Sequence, residues 1–180
     1  MKILFVVDMQ KDFVDGALGT PEAVAIVPKV AKKIAEYAAM ENSIVVYTRD
    51  THYEDYIETR EGQILPVPHC IFGTEGWEIV PEVINLNAAI AVLDKKTFGK
   101  SDIAENILEM VREITGNINI ESIELCGLCT DICVVSNALI LKANFPETAI
   151  SVDSECCAGV TPEKHEAALE VMRSCQITVL

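Results

Sequence analysis

The stretch SIELCGLCTDICVV, residues 122–135, decides the fold. Its first part, SIELCG over 122–127, is short and largely apolar, which favours a parallel strand covered on both faces. The chain then turns within a few residues, and the stretch 131–143 predicts a mostly buried helix. The three cysteines here therefore fall in a strand (Cys126), in a turn (Cys129) and in the first helical turn (Cys133).

The same strand-then-helix pattern recurs along the whole chain. Five further runs rich in Ile, Val and Ala predict strands: ILFVVDM (3–9), SIVVYTR (43–49), AAIAVLD (88–94), TAISVDS (148–154) and QITVL (176–180). Apolar stripes with helical spacing lie between strands, at 27–38, 103–114 and 168–175. This alternation predicts an α/β fold, an open parallel sheet with helices on both faces.

Capping residues predict where the helices begin and end. Pro28 suits the start of the helix over 27–38. Ser101 is the expected N-cap of the next long helix and Gly116 its expected stop. For the last helix, Thr161 is the expected N-cap, with Pro162 at the first helical position.

Length and composition restrict the class of protein. A chain of 180 residues predicts one domain, spanning 1–180. The formal net charge is −14, which disfavours nucleic-acid and anionic-membrane partners because both are negatively charged. No apolar run reaches the length of a membrane span, and the seven cysteines come without an export signal. We therefore expect a reduced, cytoplasmic protein.

Chemically useful side chains follow four of the predicted strands. Asp8 ends the first strand, and Asp50 and His52 follow the second. The segment 94–96, Asp-Lys-Lys, follows the third strand, and the turn 126–129 follows the fourth. Because the carboxyl ends of parallel strands meet at one edge of a sheet, this edge is the predicted site.

Two interpretations stay open for the histidines. Asp50, His52 and His69 could bind a metal such as zinc, iron or manganese, since two imidazoles and a carboxylate form a common ligand set. They could equally be unrelated residues of the irregular segment 50–80, because the spacing alone is weakly specific. His165 lies in the last helix beside acidic residues and is expected to be solvated.

The thiols also allow several interpretations. A zinc knuckle needs a second, properly spaced pair, and a redox pair should open a helix, whereas Cys126 belongs to a strand. A single nucleophile among structural cysteines is the remaining reading. A cysteine in the first turn of a helix faces the positive end of the helix dipole, which favours a thiolate. If Thr130 or Asp131 caps that helix, Cys133 is in its first turn, and Cys129 lies in the turn before it, where backbone N–H groups could face an oxyanion.

The chain resembles the isochorismatase-like cysteine hydrolases, and within them the nicotinamidases. The resemblance covers essentially the whole sequence, and the order and spacing of its motifs carry it. These motifs are VVDMQKDF, TRDTH, PHCIFGTEGW, KKTFGKSD, CGLCTDICV and VDSECCAGVTPEKHEAAL.

This resemblance implies a three-layer α/β/α sandwich around a six-stranded parallel sheet. It also implies an Asp–Lys–Cys triad, here Asp8, Lys96 and Cys133, with Lys95 as the competing lysine. A cis peptide is implied at Leu128–Cys129, and the oxyanion would meet the N–H groups of Cys129 and Cys133.

For nicotinamidases, the resemblance further implies a divalent metal. Its ligands would be Asp50, His52 and His69, with zinc expected and iron or manganese as alternatives. Phe13 matches a residue that lines the substrate pocket. The implied reaction is hydrolysis of nicotinamide to nicotinate and ammonia through a cysteine thioester.

One departure from the pattern keeps other functions open. Nicotinamidases often carry a tryptophan three residues before the metal-binding histidine, where this chain has Pro66. Hydrolysis of another small amide, ureido compound or vinyl ether is therefore an alternative, and a silent small-molecule-binding protein is a third. Relatives commonly self-associate, so a homo-oligomer is expected.

Overall fold

The computed structural model describes residues 1–85 and 89–180. Six parallel strands form one sheet in the order β3-β2-β1-β4-β5-β6. The strands are β1 (Lys2–Val7), β2 (Ser43–Asp50), β3 (Ala89–Lys95), β4 (Ser122–Leu128), β5 (Ala149–Ala158) and β6 (Thr178–Val179). All six predicted strands are present, although Ala88, the predicted start of the third, lies outside the described residues.

Within residues 1–85 and 89–180, six α-helices and several short turns connect the strands. The helices are α1 (Lys11–Val14), α2 (Pro21–Ala39), α3 (Arg60–Ile64), α4 (Ile103–Thr115), α5 (Val135–Asn144) and α6 (Pro162–Ser174). One π-helical turn, Thr130–Val134, precedes α5, and 3₁₀ turns span Tyr56–Glu58, Glu75–Trp77 and Pro81–Val83. Among the described residues, no helix is both long enough and apolar enough to span a bilayer.

The strand order places the helices in two layers. From β1 the chain moves one way along the sheet to β2 and β3, and from β3 it crosses back to β4, β5 and β6. Right-handed crossovers in opposite directions put their connections on opposite faces. Helix α2 accordingly contacts β1, β2, β4 and β5, whereas α5 contacts both α4 and α6. The predicted α/β sandwich is confirmed.

Some of the predicted helix boundaries are wrong. Helix α2 begins at Pro21, capped by Thr20 Oγ1, which accepts from Ala23 N, so Pro28 lies inside the helix rather than at its start. Pro28 is exposed, so water can bond the carbonyl that it leaves without a helical N–H. Helix α4 has Asp102 rather than Ser101 at its N-cap position.

Other predicted boundaries are confirmed. Gly116 ends α4 with a φ of 73°, a left-handed conformation that glycine adopts without a steric penalty. Thr161 caps α6 through a bond from Lys164 N, and Pro162 opens it.

The strand register brings the four strand ends together. Val7, the last residue of β1, pairs with Thr48 and with Gly127, and Asp50 pairs with Lys95. Strand order reverses between β1 and β4, which makes a crevice at their carboxyl ends. Gly127 has a φ of 116°, and a Cβ there would overlap the Val7 carbonyl oxygen. Close approach of these two strands at the crevice therefore requires glycine.

Candidate active site and metal centre

Asp8 lies at the switch point, immediately after β1, and is fully buried. Its φ of 46° is unusual for a residue with a side chain and marks a constrained backbone. Thr48 Oγ1 donates to Asp8 Oδ1 at 2.7 Å, and Lys95 Nζ lies 2.7 Å from Asp8 Oδ2. Burial raises the pKa of Asp8, and Lys95 opposes that effect only in part. This carboxylate therefore accepts a proton more readily than an ordinary aspartate.

Lys95, rather than Lys96, contacts Asp8 and Cys133. The prediction that Lys96 fills this position is therefore wrong. Lys95 Nζ donates to Cys133 Sγ at 3.4 Å and to Asp50 Oδ1 at 3.3 Å. Lys96 instead places its Nζ 4.6 Å from the ring centre of Tyr53. Side chains alternate along a strand, so only one of two adjacent lysines can face Asp8.

Three acceptor groups keep Lys95 charged. Burial by itself would lower the pKa of Lys95, but Asp8, Cys133 and Asp50 together raise it above its usual value. A permanent cation therefore lies between two buried carboxylates and a thiol.

Cys133 lies on the π-helical turn that follows β4, buried at the base of the crevice. Burial raises the pKa of Cys133 well above its usual value, and Asp8 raises it further while Lys95 lowers it. Burial therefore favours the thiol form of Cys133, against the thiolate expected in the first turn of a helix. Asp8 is the carboxylate next to this thiol, and the hydrogen bond between the two contributes to the raised pKa of Cys133.

The turn before Cys133 has the geometry that the resemblance implies. The Leu128–Cys129 peptide is cis, and both residues line the crevice. Cys126 is fully buried in β4, as strand packing requires.

Four potential metal ligands converge beside this group. They are Asp50, His52, His69 and Glu61, and one donor atom of each lies within 4.8 Å of the others. His52 Nε2 lies 3.1 Å from Asp50 Oδ2 and 3.7 Å from Glu61 Oε1. His69 Nε2 lies 3.8 Å from both carboxylates. Ligands bound to one zinc ion at about 2.0–2.2 Å stand roughly 3–4 Å apart, so the set fits a single divalent ion.

The imidazole of His69 is oriented for a metal by its other nitrogen. Its Nδ1 lies 2.8 Å from the Val67 carbonyl, which can only accept, so Nδ1 carries the proton. Nε2 is then left with a lone pair towards the cluster. Tyr56 packs against both histidine rings, with ring centres 4.7 Å from His52 and 5.0 Å from His69.

Electrostatics within the cluster favour a bound cation. Burial alone would lower the pKa of His52, but Asp50 and Glu61 raise it above its usual value. Burial raises the pKa of Glu61. These shifts mean that the cluster attracts positive charge, and either a proton or a metal ion can supply it.

Glu61 and Gln10 are site residues that sequence reasoning missed. Glu61 sits on the short helix α3 inside the irregular segment, and nothing local distinguishes it from the chain's other acidic residues. Gln10 is fully buried and holds the backbone of Asp50 from both sides, with Nε2 donating to its carbonyl at 2.8 Å and Oε1 accepting from its N–H at 2.7 Å. Its position after a buried strand was the available signal.

His165 was expected to be solvated, and this is wrong. It is partly buried, with Nδ1 2.8 Å from Oγ1 of Thr130, the fully buried first residue of the π-helical turn. Burial lowers the pKa of His165. Asp131 Oδ1 makes a second hydrogen bond in this region by accepting from Val160 N at 2.9 Å. Val160, just before α6, and His165, in its first turns, thus hold the turn that carries Cys133 in place.

A cavity of about 540 Å³ opens above these groups. Cys133, Asp50, Glu61 and His69 line it, and so does Phe13, as the resemblance implies. Trp77 lies outside its lining: the indole Nε1 donates to Thr51 Oγ1 at 2.9 Å, and Arg49 stacks 3.6 Å from the ring centre. The Cys133 thiol and three of the four potential metal ligands therefore share one cavity, whereas Asp8, Lys95 and His52 lie behind its lining.

Comparison with known proteins gives consistent relatives. A family model described as the Isochorismatase domain matches residues 2–180. The chain is 28% identical to a nicotinamidase/pyrazinamidase of Mycobacterium tuberculosis, over 100% of this chain and 98% of that protein. A solved pyrazinamidase of Pyrococcus horikoshii in complex with zinc is 30% identical, with a TM-score of 0.79 over 99% of this chain and 98% of that one. A nicotinamidase/pyrazinamidase structure from Bacillus subtilis is 27% identical, with a TM-score of 0.81 and the same coverage.

Proposed function

Because the chain belongs to the isochorismatase family, we propose that it is a cysteine amidohydrolase that converts nicotinamide to nicotinate and ammonia. The observation that carries this proposal is the buried contact of Lys95 with both Asp8 and Cys133, at distances of 2.7 Å and 3.4 Å. The relatives named as nicotinamidases and pyrazinamidases support an amide as substrate.

The first half of the reaction uses Asp8 as base. Asp8 takes the proton of the Cys133 thiol, and the sulfur attacks the amide carbonyl carbon. Lys95 balances the negative charge that passes from Asp8 to the sulfur. The N–H groups of Cys129 and Cys133 hold the tetrahedral oxyanion. Asp8 then gives its proton to the departing nitrogen, ammonia leaves, and a thioester on Cys133 remains.

The second half returns the enzyme to its starting state. Asp8 takes a proton from water, and the hydroxide attacks the thioester carbonyl. The carbon–sulfur bond breaks, the acid product leaves, and the proton on Asp8 returns to the Cys133 sulfur. A raised pKa suits Asp8 for this work because it must both accept and release a proton in each half.

The metal-ligand set supports a resident divalent ion, and we propose zinc, with iron or manganese as alternatives. Asp50, His52, His69 and Glu61 would hold it. When bound, the ion supplies a Lewis acid beside the cavity, suited to a ring nitrogen or to a polarised water. The related pyrazinamidase of Pyrococcus horikoshii was solved in complex with zinc, which supports this choice.

We also propose that the protein acts in the reducing cytoplasm, which its seven free cysteines support. We further propose that it acts in NAD salvage and associates into a homo-oligomer.

A second candidate is hydrolysis of a different small amide, ureido compound or vinyl ether by the same groups. It is favoured by the position of Trp77, whose indole lies outside the cavity and so does not stack on a substrate ring.

Ammonia release from nicotinamide tests the first candidate. Wild-type protein should release ammonia, and Cys133→Ala should reduce the rate to background because the thioester cannot form. Cys175→Ser is the matched control, since Cys175 is an exposed thiol outside the site. Cys129→Ala should also stay active, because it keeps the backbone N–H. Ammonia release that survives Cys133→Ala would exclude the covalent mechanism.

A further inference from the structure

The cavity is large for a single-ring amide. Its volume of about 540 Å³ falls within the roughly 300–1,000 Å³ of pockets that enclose drug-sized ligands. One pyridine ring with one carboxamide occupies only part of that space. The reactive groups, namely Cys133, Asp50, Glu61 and His69, converge where the strands end. The space beyond them is thus available to another part of a ligand.

The outer walls of this cavity are largely apolar, although the exposed residues Arg60, Lys96 and Thr97 also line it. Four large apolar side chains that the structure leaves exposed among its described residues also line the cavity: Ile64, Leu65, Phe98 and Val160. Ile64 is 71% exposed, Phe98 46% and Val160 41%. Leu18 and Ile132 continue the lining inwards. Clustered exposed apolar surface around a cavity marks a place where an apolar ligand group gains by leaving water.

Trp77, the single tryptophan of the chain, does not cover the cavity. Trp77 is 8% exposed and holds its indole by the bond to Thr51 and by the stacked Arg49 guanidinium. It therefore does not narrow the cavity, and the apolar walls stay accessible beyond a bound ring.

We infer that the preferred substrate is an aromatic carboxamide carrying an apolar extension, such as a fused or attached second ring. The carboxamide lies against Cys133, and the extension packs on Phe98, Ile64 and Val160. This inference rests on the proposed amidohydrolase function and adds the part of the substrate that the reactive groups do not contact.

A substrate series tests the inference directly. Ammonia release is measured for nicotinamide, a quinoline carboxamide and a phenyl-substituted nicotinamide, each with zinc-loaded wild-type protein. We expect kcat/KM for at least one extended amide to exceed that for nicotinamide about tenfold or more, the scale of apolar groups gained in a hydrophobic pocket.

Variants at the cavity mouth locate the effect. Phe98→Ser and Val160→Asn should lower the ratio of extended-amide to nicotinamide kcat/KM towards unity. Val171→Asn is the matched control, because Val171 is an exposed apolar residue (48%) of α6 outside the cavity lining, and its ratio should equal that of wild type.

Three results would overturn the inference. The first is nicotinamide being the best substrate while Cys133-dependent turnover is normal, which leaves the proposed function intact. The second is a lower mass of Phe98→Ser or Val160→Asn in analytical ultracentrifugation, together with an unchanged ratio of extended-amide to nicotinamide kcat/KM. That result would show that these residues contact a second copy of the chain rather than the substrate. The third is no ammonia from any amide with wild-type protein, which overturns the proposed function as well.

Discussion

Lys95 Nζ lies 2.7 Å from Asp8 Oδ2, and neither side chain is accessible to solvent. The same ammonium also contacts Asp50, a member of the metal-ligand set, at 3.3 Å. One buried cation thus joins the proposed base to the proposed metal centre. Charge at either place therefore affects the other, because both are little screened by water.

Replacing Lys95 by Met should be far more damaging than the same change at Lys96. It leaves the buried carboxylates of Asp8 and Asp50 without their cation, which should cost roughly 3–5 kcal/mol of unfolding free energy. Activity should fall about a hundredfold or more, since the charge that balances the thiolate is lost. Urea unfolding and ammonia release measure the two effects. Lys96→Met is the control, with a stability change within about 0.5 kcal/mol. A larger activity loss in Lys96→Met than in Lys95→Met would contradict the placement of the lysine.

The pH profile should report the raised pKa of Asp8. The base works only when ionised, so kcat/KM should fall as the pH drops through its pKa. Since burial raises that pKa, the fall should begin at higher pH than for an ordinary aspartate, whose pKa is about 3.9. The profile is recorded with excess zinc. Bound metal is measured at each pH, so that a fall in rate caused by loss of zinc can be distinguished from one caused by protonation of Asp8. A rate that stays constant down to about pH 4 would contradict Asp8 as the base.

Glu61 should contribute to metal affinity although the sequence did not single it out. Its Oε1 lies 3.7 Å from His52 Nε2 and 3.8 Å from His69 Nε2. Glu61→Gln should weaken zinc binding about tenfold or more, measured by competition with a chromophoric chelator. Glu58→Gln, an exposed glutamate of the same segment, should bind zinc like wild type. Equal affinity in the two variants would limit the ligand set to Asp50 and the histidines.

His165 should position the catalytic turn from behind. It contacts Thr130 Oγ1, and neither residue lines the cavity, so changes there should act on kcat and leave KM near its wild-type value. His165→Ala should lower kcat about tenfold. His165→Asn should retain most of it, because its amide group can donate to or accept from Thr130 Oγ1 near the place of Nδ1.

A double-mutant cycle separates this positioning role from general destabilisation. If the contact acts as one unit, Thr130→Val should add little to the loss in His165→Ala. Fully additive losses in log kcat, or no rescue by Asn, would show that the Thr130–His165 contact does not act on the turn.

Gly127 should be the least replaceable glycine of the crevice. Alanine there combines a φ of 116° with overlap of its Cβ on the Val7 carbonyl. Backbone strain alone costs about 1–3 kcal/mol, and the overlap adds to it. Gly116→Ala is the matched control: its φ is 73° but nothing lies within 4 Å of the added Cβ, so the cost should be about 1 kcal/mol. Chemical denaturation compares the two, and equal costs would show that the strand contact at Val7 relaxes freely.

The architecture was accessible from local patterns. Each predicted strand is a short apolar run that needs covering on both faces, and this requirement holds whatever the chain does elsewhere. Gly116 and Thr161 act through backbone bonds within a turn of their own helices, so they too could be identified without tertiary information. The prediction of the α2 start was wrong because the buried face of this helix, which includes Val30 and Ile34, continues through Ile26 and Ala23, before the stripe visible over 27–38.

Within the candidate site, the sequence by itself placed Asp8, Asp50 and Cys133 at one edge, because strand ends of a parallel sheet must meet there. The catalytic roles of these residues stay predictions. The prediction of Lys96 over Lys95 is wrong, since the residues before the two lysines form an apolar run in which no alternation is visible. Only the tertiary structure decided between the two lysines, through the register that sets Lys95 opposite Asp50. The contacts of Glu61 with the histidines and of His165 with Thr130 likewise depend on the tertiary structure alone. The partners are distant in sequence, and no repeating local pattern links them.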